Sequence, residues 1–80
     1  MEGKQLIAAR FIQVVDALIS KGEVASYKAF TQSYGYSKAL ISHIREGRQS
    51  VPLELIYKMV NEQKINSEFL FGASETMFKE

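Results

Sequence analysis

Eighty residues, 46% of them apolar, make one domain with a single modest core. No cysteine is present, so neither a disulfide framework nor a thiolate zinc site can brace the chain, and one proline with five glycines argues against disorder. The net charge of +1 is weak for a nucleic-acid binder; no apolar run approaches membrane-spanning length and no signal-peptide layout opens the chain, so a soluble cytoplasmic protein is expected.

From about Leu6 to Ser20, apolar residues recur at Ile7, Phe11, Val14, Val15 and Leu18, which is helical periodicity, and Gly22 ends it. After the connection KGEVAS, Ser26 can accept a hydrogen bond from the free N–H groups of a second helix beginning at Tyr27, in which Phe30 and Tyr34 share a buried face. Gly35 supplies the left-handed backbone that stops a helix and turns the chain. Ser37 caps a third helix whose inward stripe is Leu40, Ile41 and Ile44 and whose remaining face holds Lys38, Ala39, Ser42, His43 and Arg45. Gly47 closes that helix, with Arg48 and Gln49 directly behind it. Two short helices joined at a glycine, over about residues 26–47, match the helix-turn-helix motif.

Beyond the loop RQSV, Pro52 is placed to open a fourth helix, since its missing N–H has no partner there in any case. Leu53, Ile56, Met59 and Val60 are expected to form its buried face. Asn66 can cap a short fifth helix that returns Phe69 and Leu70 to the core; Gly72 ends it, and the tail at 73–80 is expected to be loosely held. No segment has a useful period-two strand pattern, so the chain reads as all-α, one five-helix domain spanning 1–80.

Charge is uneven along the chain. Residues 1–50 hold seven Lys or Arg against four acids, whereas residues 51–80 hold three against five, which places the third helix in the basic half. Catalysis fails on inventory: one histidine, no cysteine and no clustered carboxylates leave no nucleophile–base–orienter set, and no glycine-rich phosphate loop follows a strand. The expectation is a protein that is not an enzyme and carries no cofactor and no metal. His43 in particular has no second histidine or cysteine to share an ion with.

The order of these features resembles the lambda-repressor/Cro-like helix-turn-helix family, also called xenobiotic-response-element-like. RFIQVVDALI is similar to that family's first helix, SYKAFTQSYGYSKALISHIREGR to its second and third, VPLELIYKMV to its fourth, and NSEFLFGASETMF to an ending found in small bacterial and phage members. The resemblance implies a compact five-helix lambda-repressor-like DNA-binding domain that grips operator DNA as a dimer, with the start of the third helix in the major groove. Carried over by position, Lys38, Ala39, Ser42 and His43 would face base edges. Tyr27, Ser37, Arg48 and Gln49 would face phosphates. Two departures stand out: Thr31 occupies a place that is usually alanine, and Arg45 occupies one where many members have a glutamate paired with an arginine on the first helix. Asp16 on the first helix raises the alternative of a swapped pair, so Arg45 is open between a phosphate and Asp16.

Each of these residues has a plainer reading. Lys38 can reach guanine O6 and N7, or be a solvated lysine that slightly opposes the helix dipole. Ala39 can offer its methyl to thymine or do nothing, Ser42 and His43 can be a solvent-exposed hydroxyl and imidazole, and Arg48 with Gln49 can be loop residues in water. Tyr27 can aim its hydroxyl at a phosphate or pack over the first helix. The function expected is a sequence-specific double-stranded DNA-binding transcriptional regulator, a phage or mobile-element repressor in a bacterial cytoplasm, acting as a homodimer on a palindromic operator with no membrane and no small-molecule substrate. The dimer surface is expected in the fourth-to-fifth helix region, with Leu55, Tyr57 and Phe71 as candidates. The alternative is a protein-binding helical module such as an antitoxin or adaptor, which the low net charge favours mildly.

Overall fold

The computed structural model describes residues 2–79, with side chains from Gln5 onward. Helix α1, Glu2–Ser20, begins four residues ahead of the apolar stripe; Glu2, Lys4 and Gln5 favour a helix, and Gly3 among them does not stop it. Phe11, Val14, Val15 and Leu18 point inward and are buried, and α1 packs on α2 (Tyr27–Ser33), α3 (Ala39–Arg45) and α5 (Ser67–Leu70). The remaining helix, α4, spans Leu53–Glu62. Five helices and one isolated antiparallel bridge, Ile65 to Phe78, account for the regular structure of the described residues, which is all-α with no strand. None of the helices is long and apolar enough to cross a membrane.

The joint between α2 and α3 is built from local hydrogen bonds. Ser26 caps α2, its hydroxyl accepting from Ala29 N–H at 3.1 Å. At the other end, Gly35 sits at φ +81° and its N–H donates to Gln32 C=O, while Tyr36 N–H reaches back to Thr31 C=O at 2.8 Å. This pair of bonds is a Schellman ending, which consumes carbonyls a helix would otherwise leave bare. Thr31 is fully buried, and its hydroxyl donates to the Tyr27 and Lys28 carbonyls at 3.0 and 3.1 Å. The polar atom is therefore satisfied within α2 and carries no unpaired-group penalty.

Ser37 does not cap α3 as expected. The cap position falls on Lys38, with no side-chain hydrogen bond, and the first turn is tightened: Leu40 N–H bonds to Ser37 C=O at 3.1 Å and Ile41 N–H to Lys38 C=O at 3.3 Å. Bonds to the third rather than the fourth residue are the 3₁₀ pattern common at helix ends, and here they leave the Ser37 hydroxyl without a described partner.

Helix α4 buries most of the expected face but takes Leu55 in place of Leu53. Leu55, Ile56 and Met59 are buried and Val60 is half-buried, but Leu53 is 76% exposed. Both registers give a plausible apolar stripe; Val51, ahead of the proline, packs against the core and makes an inward Leu53 unnecessary. Leu55 is consequently unavailable to a partner molecule, whereas Tyr57 and Phe71 are 69% and 51% exposed.

The tail is bonded back over residues 73–79 where a loose segment was expected; Glu80 lies outside the described residues. Asn66 N–H donates to Met77 C=O and Lys79 N–H to Lys64 C=O, both at 2.8 Å. The Asn66 side chain accepts from Glu68 N–H as the α5 cap and donates to Thr76 C=O. Arg10 lies over the Phe69 ring at 4.3 Å while its guanidinium donates to Ser74 C=O and pairs with Glu75. The ammonium of Lys21 lies 3.9 Å from the centre of the Phe78 ring. Two cations of the basic half are thereby spent on holding the tail.

Candidate nucleic-acid interface

Helix α3 separates two chemistries by its rotation. Leu40, Ile41 and Ile44 are buried against α1 and α2. Lys38, Ala39 and Ser42 lie on the opposite side and are exposed, with half-buried His43 on one flank and exposed Arg45 on the other. The exposed face thus carries an ammonium, a methyl, a hydroxyl, an imidazole and a guanidinium within two turns. These supply hydrogen-bond donors, an acceptor and an apolar contact.

The C-terminal end of α3 is locked in the same manner as that of α2. Gly47 takes φ +80°, its N–H donates to Ile44 C=O, and Arg48 N–H donates to His43 C=O at 2.9 Å, joined by Gln49 N–H at 3.3 Å. Both backbone donors behind the helix are therefore occupied, so Arg48 and Gln49 offer an outside anion their side chains rather than their N–H groups. Arg48 in turn pairs with Glu46 at 3.0 Å, both groups being at least half exposed. A surface pair of this kind contributes little to stability and is readily exchanged for another anion.

Arg45 and Asp16 are not directly paired. The Tyr27 hydroxyl stands between them, donating to the Asp16 carboxylate, while the Arg45 guanidinium lies 5.4 Å from the centre of the Tyr27 ring. One tyrosine thereby ties α1, α2 and α3 together. The Tyr27 hydroxyl is pushed above its ordinary value of 10.0 chiefly by its bond to Asp16, then by partial burial and the Asp16 charge, with Arg45 acting against them. Its hydrogen is committed to Asp16 on α1, which is the second of the two arrangements expected for Tyr27, packing over the first helix, and its ring lies beside Arg45.

Arg10 and Lys21 hold the tail, and the described cations of the basic half that remain are Lys28, Lys38, Arg45 and Arg48, all exposed and all on α2, α3 or the loop that follows. Lys28 was missed in the sequence reading. Its position on the first turn of α2, on the side away from buried Phe30, was the available signal. Ser37 and Gln49 are exposed at the two ends of α3.

Beside this surface an open groove of about 700 Å³ runs between α1 and the loop after α3, floored by Ala8, Ile12 and Ile44 and rimmed by Arg45 and Arg48. Among the described residues no group of three His, Asp or Glu is arranged to hold a metal ion. No known family model matches the chain, and neither a curated protein nor a solved structure shows significant similarity to it.

Proposed function

We propose that α2 and α3 act as a helix-turn-helix, and that this chain is a sequence-specific double-stranded DNA-binding regulator of lambda-repressor-like type. The observation that carries the reading is the exposed face of α3, whose polar groups project from a helix anchored on its other side by three buried aliphatic side chains. A rigid helix is what the major groove of B-DNA, about 12 Å wide, accommodates. The four exposed cations around α2 and α3 supply the sequence-independent attraction to phosphates.

In this reading Lys38 reads guanine O6 and N7, Ala39 meets a thymine methyl, and Ser42 and His43 contact neighbouring base edges. Lys28, Ser37, Arg45, Arg48 and Gln49 position the helix on the phosphate backbone. The protein occupies an operator in a bacterial cytoplasm and represses by blocking polymerase. Because one copy spans only a few base pairs, two copies on half-sites roughly 34 Å apart are required for specificity.

Selection of bound duplexes from a random pool, followed by gel retardation of the selected site at low and high salt, tests the proposal. A palindromic consensus whose affinity falls steeply with salt is the expected result. Failure to retard any duplex at low salt would overturn it in favour of a protein-binding helical module.

A further inference from the structure

The outward face of α4 carries an apolar pair with no partner in the fold. Leu53 and Tyr57 lie one turn apart and are 76% and 69% exposed. Single exposed apolar residues are ordinary, but two large ones stacked on one helical edge form a patch. On the adjacent edge of the same face are Glu54 and Lys58, also one turn apart, their charged atoms 3.1 Å from each other within the helix. Asn61 folds back to donate to Tyr57 C=O, which leaves that face clear.

We infer that this face pairs with the same face of a second copy, the two α4 helices running antiparallel about a two-fold axis. The arrangement follows from the order of charges. In a two-fold contact, residue i meets residue j and j meets i. Antiparallel packing centred near Ile56 sets Glu54 against Lys58 of the second copy and the reverse, giving two crossed ion pairs. On the neighbouring edge it sets Leu53 against Tyr57 of the second copy, again twice. Parallel packing about a two-fold would exchange the edges and set Leu53 and Tyr57 against Glu54 and Lys58 of the second copy, so only the antiparallel geometry matches charge with charge and apolar with apolar. A face ten residues long is well short of the ~800 Å² that each partner gives to a standard interface. The pairing is accordingly weak in free solution and is reinforced when both copies sit on one DNA.

The inference deepens the paired, operator-bound reading above and rests on it for its purpose, but it is tested without DNA. Sedimentation of the full chain is measured across the micromolar-to-millimolar range. The wild type self-associates, and Tyr57→Glu, Glu54→Lys and Lys58→Glu each weaken association by at least about tenfold while circular dichroism stays helical, because each change replaces an attraction with a desolvated or opposed charge. The double variant Glu54→Lys/Lys58→Glu recovers association, and an equimolar mixture of the two single charge reversals associates better than either alone. A wild type that stays monomeric throughout, single variants that associate as well as it does, or a charge swap that restores nothing would overturn the pairing. Loss of DNA binding with association intact would count against the regulator reading alone.

Discussion

Replacing Tyr27 separates two jobs that the residue performs. Tyr27→Phe removes the hydroxyl that bonds Asp16 and keeps the ring beneath Arg45; Tyr27→Ala removes both. The hydroxyl bond lies at the surface, with Asp16 exposed and Tyr27 half-buried, so its loss costs about 1 kcal/mol, within the usual range for a hydrogen bond. In a domain of this size that lowers Tm by roughly 4–8 °C. Removing the ring costs a further ~0.5–1 kcal/mol of cation–π contact plus its buried area, and frees Arg45. Thermal and urea denaturation followed by circular dichroism gives the stabilities, and retardation on the selected site gives the DNA affinities. Tyr27→Phe should bind DNA nearly as well as wild type, whereas Tyr27→Ala should bind more weakly on every sequence. The pH dependence checks the cause. The hydroxyl is raised above its ordinary 10.0 in the folded state, so its contribution is fully present below pH 10.0 and is lost as pH climbs through the raised value. The stability gap between wild type and Tyr27→Phe should therefore close in strongly alkaline solution, while titrations shared by both proteins cancel. A gap that stays constant from neutral to alkaline pH, or equal DNA affinities for the phenylalanine and alanine variants, would refute the platform role.

Lys38→Ala should cost about 1–3 kcal/mol on the selected duplex and relax one base position, since a bidentate lysine–guanine contact is lost; equal weakening on all sequences would assign Lys38 to phosphate. Arg48→Ala should flatten the dependence of log affinity on log salt by about one unit, and Glu46→Gln, which frees Arg48 from its 3.0 Å partner, should raise affinity modestly at every sequence. Gly72→Ala and Gly47→Ala should lower the melting temperature by comparable amounts. Both place a side chain at positive φ, at roughly 1–2 kcal/mol each; nothing lies within 4 Å of the added carbon at Gly47, and at Gly72 it would meet only the outer methyl of exposed Leu6, which can turn aside. A clearly larger loss at Gly72 would show that Leu6 is held in place.

The inward and outward sorting of α3 was legible because periodicity and burial coincide there: Leu40, Ile41 and Ile44 are the apolar residues and also the buried ones. The same logic found Ile56, Met59 and Val60 on the inner side of α4 but chose Leu53 where the fold buries Leu55. Leu53 and Leu55 are equally apolar, and no local preference distinguishes a stripe through one from a stripe through the other. The half-buried His43 escaped, and Tyr27 was left open between a phosphate and the first helix, for a related reason, since each depends on a neighbour supplied by the packing around it rather than by its own helix.

What the chain determines by itself is therefore its local hydrogen bonding. Ser26 and Asn66 cap the helices they precede, and Gly22, Gly35, Gly47 and Gly72 adopt the positive φ that ends the helices before them. Those bonds close within a few residues, so residue type sets most of them, although Ser37 ahead of α3 makes no such cap. Only the tertiary structure decides that Arg10 and Lys21 hold the tail rather than face solvent, that Tyr27 separates Asp16 from Arg45, and that α4 turns Leu55 inward and Leu53 outward. Contacts such as Arg10 to Ser74 span most of the chain. Their existence rests on how the loops close and how the shared core fills, and no single segment encodes either.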